Sequence, residues 1–179
     1  MKKTSVGLVV LADIPTMGGL NAVLQERGKF NHEENRPESW PGACQVTAHG
    51  KCVEGESIRN GLIREIREEL GDKMAHVFVN MAADDVIELN RVETDEKLVV
   101  TYGCRFAANT IFGEHPLSDN IFCLHDSALR LRMVNRQEVE KIVDLAKNFT
   151  KAEGVKDRSV TAMFADEKEA VRLAFEKLG

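Results

Sequence analysis

Residues 57–70 carry the clearest periodicity in this chain of 179 residues. At about 100° per position, Leu62, Ile63, Ile66 and Leu70 fall in one sector, which predicts an amphipathic helix with a core-facing stripe. Glu65, Glu68 and Glu69 stand at i, i+3 and i+4 and gather on another face, with Arg64 beside them. Ser57 suits an N-cap and Gly71 a C′ position, so both helix ends are marked locally. Gly61 is the odd residue, since glycine inside a helix costs about 1 kcal/mol relative to alanine. It projects onto the acidic face, which points either to room for a ligand or to a close packing contact.

Carboxylates this close repel one another, which raises their pKa values or demands a compensating cation. Clustered oxygen ligands suit a hard divalent ion such as magnesium. Taken alone, the same charges also describe a solvated helix face. The net charge of −5 gives no basic footprint, so extended binding to a nucleic-acid backbone is not expected, and handling phosphates would call for a cation. With 43% hydrophobic and 30% charged residues the chain has the composition of a globular protein. Its length fits one domain spanning 1–179, with C-terminal helices from about residue 136.

The apolar run near the N-terminus is broken by Asp13, lacks a convincing cleavage site and falls well short of the roughly 20 residues of a membrane span. A cytoplasmic protein without membrane contact is expected. Cys44, Cys52, Cys104 and Cys123 form no Cys-x-x-Cys pair, so free thiols are expected. The spacing of Cys44, His49 and Cys52 fits no common zinc pattern.

Along the chain, residues 6–11 and 22–24 read as neighbouring strands separated by Pro15, Gly18 and Gly19. Residues 28–39 have the composition of a surface loop bordering a ligand site. Further strands are expected over 44–48, 76–81, 86–92 and 98–107, and helices over 137–149 and 162–178. Strands mixed with helices in this order give an α/β or α+β layered fold.

Reading outward from the helix, the segment is Gly50, five residues, Glu56, seven residues, then Arg64, Glu65, Ile66, Arg67, Glu68, Glu69, Leu70 and Gly71. This resembles the Nudix box: glycine, five residues, glutamate and seven residues, then Arg-Glu, an aliphatic residue, any residue, Glu-Glu, any residue and glycine. Seven fixed positions at roughly 6% each recur by chance about once in 10⁸ to 10⁹ starting points. Residues 22–27, with their Gln-x-Arg ending, resemble the family's second strand. Trp40, Pro41 and Gly42 resemble its approach to the box, and residues 133–139 the opening of its late helix. Two departures are visible: Asp72 stands where the family usually has an aliphatic residue, and His49-Gly50 replaces the common Gly-Gly.

The resemblance implies an α/β/α sandwich with a mixed central sheet and a magnesium-dependent hydrolase, with manganese an alternative cofactor. The bond cut would be a diphosphate linking a nucleoside to another moiety. It assigns Glu65, Glu69, Glu68 and the backbone carbonyl of His49 as metal ligands, with Glu68 alternatively a water-activating base. Arg64 would join the catalytic set by orienting a carboxylate, and Glu56 would support the loop. Many relatives place one more acid some fifty residues beyond the box, and Glu114 fits that distance; Asp119 and Glu96 are weaker choices. Arg27 is expected near a phosphate or in a plain salt bridge, and Trp40 against a base or in packing. His115 and His125 read as surface or structural residues. A homodimer is admitted by family analogy alone.

Two rivals share the fold. An isomerase of the isopentenyl diphosphate type is faintly echoed by Ala48-His49-Gly50, but the intact Arg-Glu-x-x-Glu-Glu series favours hydrolysis. A non-catalytic nucleotide sensor would be expected to have lost box carboxylates, and all are present. No tyrosine or proline beyond the box marks a dinucleoside polyphosphate or ADP-sugar enzyme, so the nucleotide substrate stays open.

Overall fold

The apolar run over residues 6–11 forms the middle of a strand with Val6 and Leu8 to Ala12 completely buried in the computed structural model, which describes residues 2–31, 35–107 and 128–179. In chain order the strands are β1 (Lys3–Ile14), β2 (Gly19–Arg27), β3 (Phe30–Asn31), β4 (Arg36–Pro37), β5 (Cys44–Gln45), β6 (Ala48–Lys51), β7 (Ile87–Glu93), β8 (Lys97–Ala107), β9 (Ala128–Asn135), β10 (Val143–Asp144) and β11 (Ala162–Met163). The helices are α1 (Ile58–Leu70), α2 (Asp72–Val79), α3 (Arg136–Glu140), α4 (Leu145–Asn148) and α5 (Ala165–Lys177).

Among the described residues, seven strands make one mixed sheet in the order β5-β2-β1-β8-β7, with β6 added to β1 and β9 to β2. β1 and β8 run parallel from Lys3↔Lys97 to Asp13↔Ala107, and the other pairings in the sheet are antiparallel. β1 is apolar without alternation because both its faces are covered. Val6, Leu8, Val10 and Ala12 pack with Leu62, Ile66, Leu70, Met74 and Phe78 of α1 and α2. Val9 and Leu11 pack on the opposite face with Ala170, Val171, Ala174 and Phe175 of α5. The result is the expected α/β/α sandwich with a mixed central sheet.

The sheet forks along one edge of β1. β2 pairs with residues 10–14 of β1 and then diverges, while β6 takes over the same edge at residues 5–8. Thr47 closes the fork: its hydroxyl accepts Val10 N–H at 2.7 Å and donates to the Val23 carbonyl at 2.5 Å. A side chain thus completes ladder bonds that the divergence would leave unpaired.

Three expectations fail. The strand expected over 44–48 is split, because Val46 and Thr47 cross the fork between β5, which pairs with β2, and β6, which pairs with β1. Residues 76–81 do not form a strand; α2 covers most of them, because Met74, Ala75 and Phe78 form a buried helical face that overrides the β-branched content of His-Val-Phe-Val. The helix over 137–149 is broken. A capping box at Asn135 and Glu138 starts α3, which ends within five residues, and Val143 then pairs with Ala162. Asp144 restarts the helix as the cap of α4, which buries Leu145 and leaves Ala146 exposed. Residues 28–39 include the short β3–β4 pairing within the expected loop. No described helix is long and apolar enough to cross a membrane.

Candidate active site

The open edge of β6 positions the acidic face of α1. Its ladder with β1 turns the Lys51 carbonyl and the His49 N–H outward, toward the helix. Arg64 Nη2 donates to that carbonyl at 2.7 Å, and Glu69 accepts that N–H at 2.9 Å. A strand residue's N–H and C=O face the same edge, so the His49 carbonyl is directed to the Glu69 side. The helix is fixed independently at its ends, where Ser57 Oγ accepts Asn60 N–H and Gly71 takes a φ of +89°.

Arg64 organises the remaining acids. Its Nε and Nη2 each donate to Glu56 at 3.2 Å, and Nη1 meets Glu65 at 2.9 Å and Glu68 at 2.8 Å. Glu56 also accepts Val53 N–H, so it ties the loop before α1 to the arginine. These bonds hold Glu56 below the usual carboxylate range and keep Arg64 firmly protonated. Glu65 lies against Gly50: a Cβ built on Gly50 would overlap its carboxylate, which explains a glycine at that place. Gly61 is settled as a packing contact, since a Cβ there would come within 2.6 Å of Cys52 Sγ.

Burial pushes the Glu65 carboxyl up, despite Arg64, and pushes Glu69 up to about 8, despite the His49 N–H. Gln25 Nε2, bonded to the Thr47 carbonyl at 2.6 Å, also reaches Glu69 at 3.4 Å. The His49 ring is lowered to about 4, first by burial and then by Arg27, and is neutral at physiological pH. Glu68 is the exposed member of the set, about half accessible.

The acids form one wall of a cleft of about 510 Å³ that opens at the fork between β2 and β6. Gln25, Glu26 and Arg27 face them from β2, and Asn31, Arg36, Glu38 and Ser39 rim it from the 28–39 segment. Arg27 lines the cleft and makes a salt bridge with Glu38 at 3.1 Å. Glu26 is buried and paired with Arg130 at 2.8 Å and Arg132 at 3.0 Å across β2 and β9. Trp40 packs edge-on against Phe164 with ring centroids 5.6 Å apart. Asp72, the departure at the end of the box, starts α2 and pairs with Arg67 at 3.1 Å.

Glu96 sits beside the β7–β8 turn and does not line the cleft. Glu114, His115, Asp119, Cys123 and His125 lie outside the described residues. Sequence reasoning missed Gln25 and Glu26 as cleft walls and Glu167, at the start of α5, altogether. The Gln-x-Arg ending of β2 signalled the first two, whereas Glu167 carried no local signal beyond its place in the first helical turn.

The donor set of carboxylates and a strand carbonyl fits a hard divalent ion. Among the described residues, however, no three His, Cys, Asp or Glu side chains converge as they stand on a point that could hold a metal. Arg64 accounts for this, because its guanidinium draws Glu65 and Glu68 onto itself.

A mixed-sheet sandwich with an arginine-organised glutamate helix walling a polar cleft defines the structural class. The fold is the one seen in solved MutT/nudix proteins. A MutT/nudix family protein from Enterococcus faecalis superposes with a TM-score of 0.59 at 16% identity, over 99% of this chain and 62% of that one. The present chain therefore spans less than two thirds of that protein's length. The NUDIX domain of Shewanella oneidensis NrtR, complexed with ADP ribose, gives 0.57 at 13% identity over 100% and 90%. A C. elegans Ap4A hydrolase gives 0.52 at 14% over 98% and 97%. No family model matches the chain, and no curated protein matches its sequence.

Proposed function

We propose that the chain is a divalent-metal-dependent hydrolase, a pyrophosphatase that cleaves the diphosphate of a nucleoside diphosphate linked to another group. The observation that carries this reading is the pair of inner carboxylates, Glu65 and Glu69, both raised by burial at the wall of a polar cleft. Buried acids of this kind gain most from a cation that neutralises them. Glu65, Glu69 and the His49 carbonyl would hold magnesium, with Glu68 joining them or serving as base. The bound ion would supply charge neutralisation of the diphosphate and a bound water of lowered pKa.

The protein's own part is positioning. Arg64 gathers Glu65 and Glu68 of one helical turn and Glu56 of the preceding loop, and engaging a cation would shift the contacts that Glu65 and Glu68 now make with it. Arg27 presents positive charge across the cleft from the acids, where a phosphate oxygen would lie. Glu68, accessible to solvent, would take a proton from the attacking water. The whole chain would act as one domain. Glu114 is proposed as a further acid on the same grounds of sequence distance.

The test is hydrolysis of a panel of nucleoside diphosphate derivatives with magnesium in ¹⁸O-enriched water, read by mass spectrometry and ³¹P NMR. The reading predicts two phosphate-bearing products, one carrying ¹⁸O on phosphorus. Retention of the diphosphate in an isomerised product would instead indicate the isomerase, and binding without turnover the sensor.

A further inference from the structure

A second cavity, of about 350 Å³, adjoins the cleft and shares Ser5, Arg27 and His49 with it. Its volume lies in the range of small-ligand pockets, roughly 300 to 1,000 Å³. Val92 and Val99, from adjacent strands, and Phe164, which ends the approach to α5, give it apolar walls. Glu167 also lines it and is only 9% exposed. Its carboxyl accepts the backbone N–H groups of Phe164 and Val46, yet its Oε2 is buried with no hydrogen-bond partner among the described residues. Buried acceptors without donors are rare, and this one belongs to a residue that lines a cavity, so a small turn of the carboxyl would offer it to a ligand's donor.

Resting on the hydrolase reading above, we propose that this cavity receives the base of the nucleotide whose diphosphate lies in the cleft. Glu167 selects a base with an exocyclic amino group, taking its N–H at Oε2. Ser5, Arg27 and His49 line both cavities, so a ligand with an anionic end in the cleft would pass Arg27 and His49 to set its other end between Val92, Val99 and Phe164. A flat heteroaromatic ring suits those walls, whereas a sugar would press hydroxyls against them. Adenine, guanine and cytosine each offer an amino N–H to the carboxyl. Uracil presents its one ring N–H between two carbonyl oxygens, which a carboxylate repels.

The experiment is calorimetric titration of the full chain at about pH 8, where the Glu167 carboxyl is ionised, with AMP, GMP, CMP and UMP in magnesium, for wild type, Glu167→Gln and Val99→Phe. At least one amino-bearing nucleotide should bind about tenfold or more tightly than UMP, the scale of one hydrogen bond to a buried charged group. Glu167→Gln keeps a carbonyl for the two backbone donors but sets an amide N–H₂ where Oε2 stands, so the ratio should fall to about one or invert. A purely structural role for Glu167 would weaken all four together and leave the ratio intact. Val99→Phe, which fills the cavity, should weaken all four. Equal affinities in the wild type, an unchanged ratio in Glu167→Gln, or undiminished binding in Val99→Phe would overturn the assignment. Turnover of diphosphate substrates without base selectivity would overturn it while leaving the hydrolase reading standing. Base-selective binding without turnover would support it and sink hydrolysis alone.

Discussion

Single residues set the chemistry of the cleft through contact and burial. Gly50 leaves the space that the Glu65 carboxylate fills, so Gly50→Ala must displace one or the other. We expect a stability loss of about 1–3 kcal/mol, as for other overpacked sites, and a turnover loss of about 10²-fold from a misplaced ligand. Urea unfolding beside a rate assay would show whether rate falls further than stability explains. Glu167 makes a pH-dependent contribution that can be isolated. Burial raises its carboxyl from an ordinary 4.5 to about 7, so the native state keeps a proton that the unfolded chain releases. Stability from this group is therefore lost as pH rises from about 4.5 to about 7 and is level above that. Glu167→Gln should show a smaller fall in unfolding midpoint between pH 5 and pH 8 than the wild type; equal falls would contradict the assignment.

At the scale of elements, α1 is held by its contact with β6 and the loop as much as by its own propensity. Gly61→Ala separates the two. Helix propensity alone predicts a gain of about 1 kcal/mol. Cys52 Sγ, 2.6 Å from the new methyl, opposes it with an overpacking cost of about 1–3 kcal/mol. We expect net destabilisation, relieved in part when Cys52→Ala is added, because Cys52 Cβ stands at an ordinary 3.5 Å while Glu56 Oε2, at 3.1 Å, still has to give way. Thermal unfolding of the two single variants and the double gives the coupling directly. This helix was legible from the sequence because period, N-cap and terminal glycine are all local. α2 was misread because Val77 and Val79 suggest a strand, while the burial of Met74, Ala75 and Phe78 under α1 is a tertiary matter.

For the whole molecule, the sheet fork decides where the cleft lies. Thr47 joins β1 to β2 at that fork, and Glu26, which lines the cleft, meets Arg130 and Arg132 more than a hundred positions later. The sandwich and the acidic helix could be read from apolar runs and the box, because each is a pattern within one element. Pairings that cross the chain leave no such pattern, which is why Glu167 and the arginine partners of Glu26 came to light only with the fold. The central claim is that Glu69, held between the His49 N–H and Gln25, serves a metal-dependent hydrolytic centre. The most direct test is magnesium-dependent turnover of nucleoside diphosphate derivatives by the wild type and Glu69→Gln, with matched unfolding curves. The account predicts turnover that vanishes with chelator and drops at least about 10²-fold in a folded Glu69→Gln. Equal rates in both proteins, or turnover indifferent to magnesium, would contradict it.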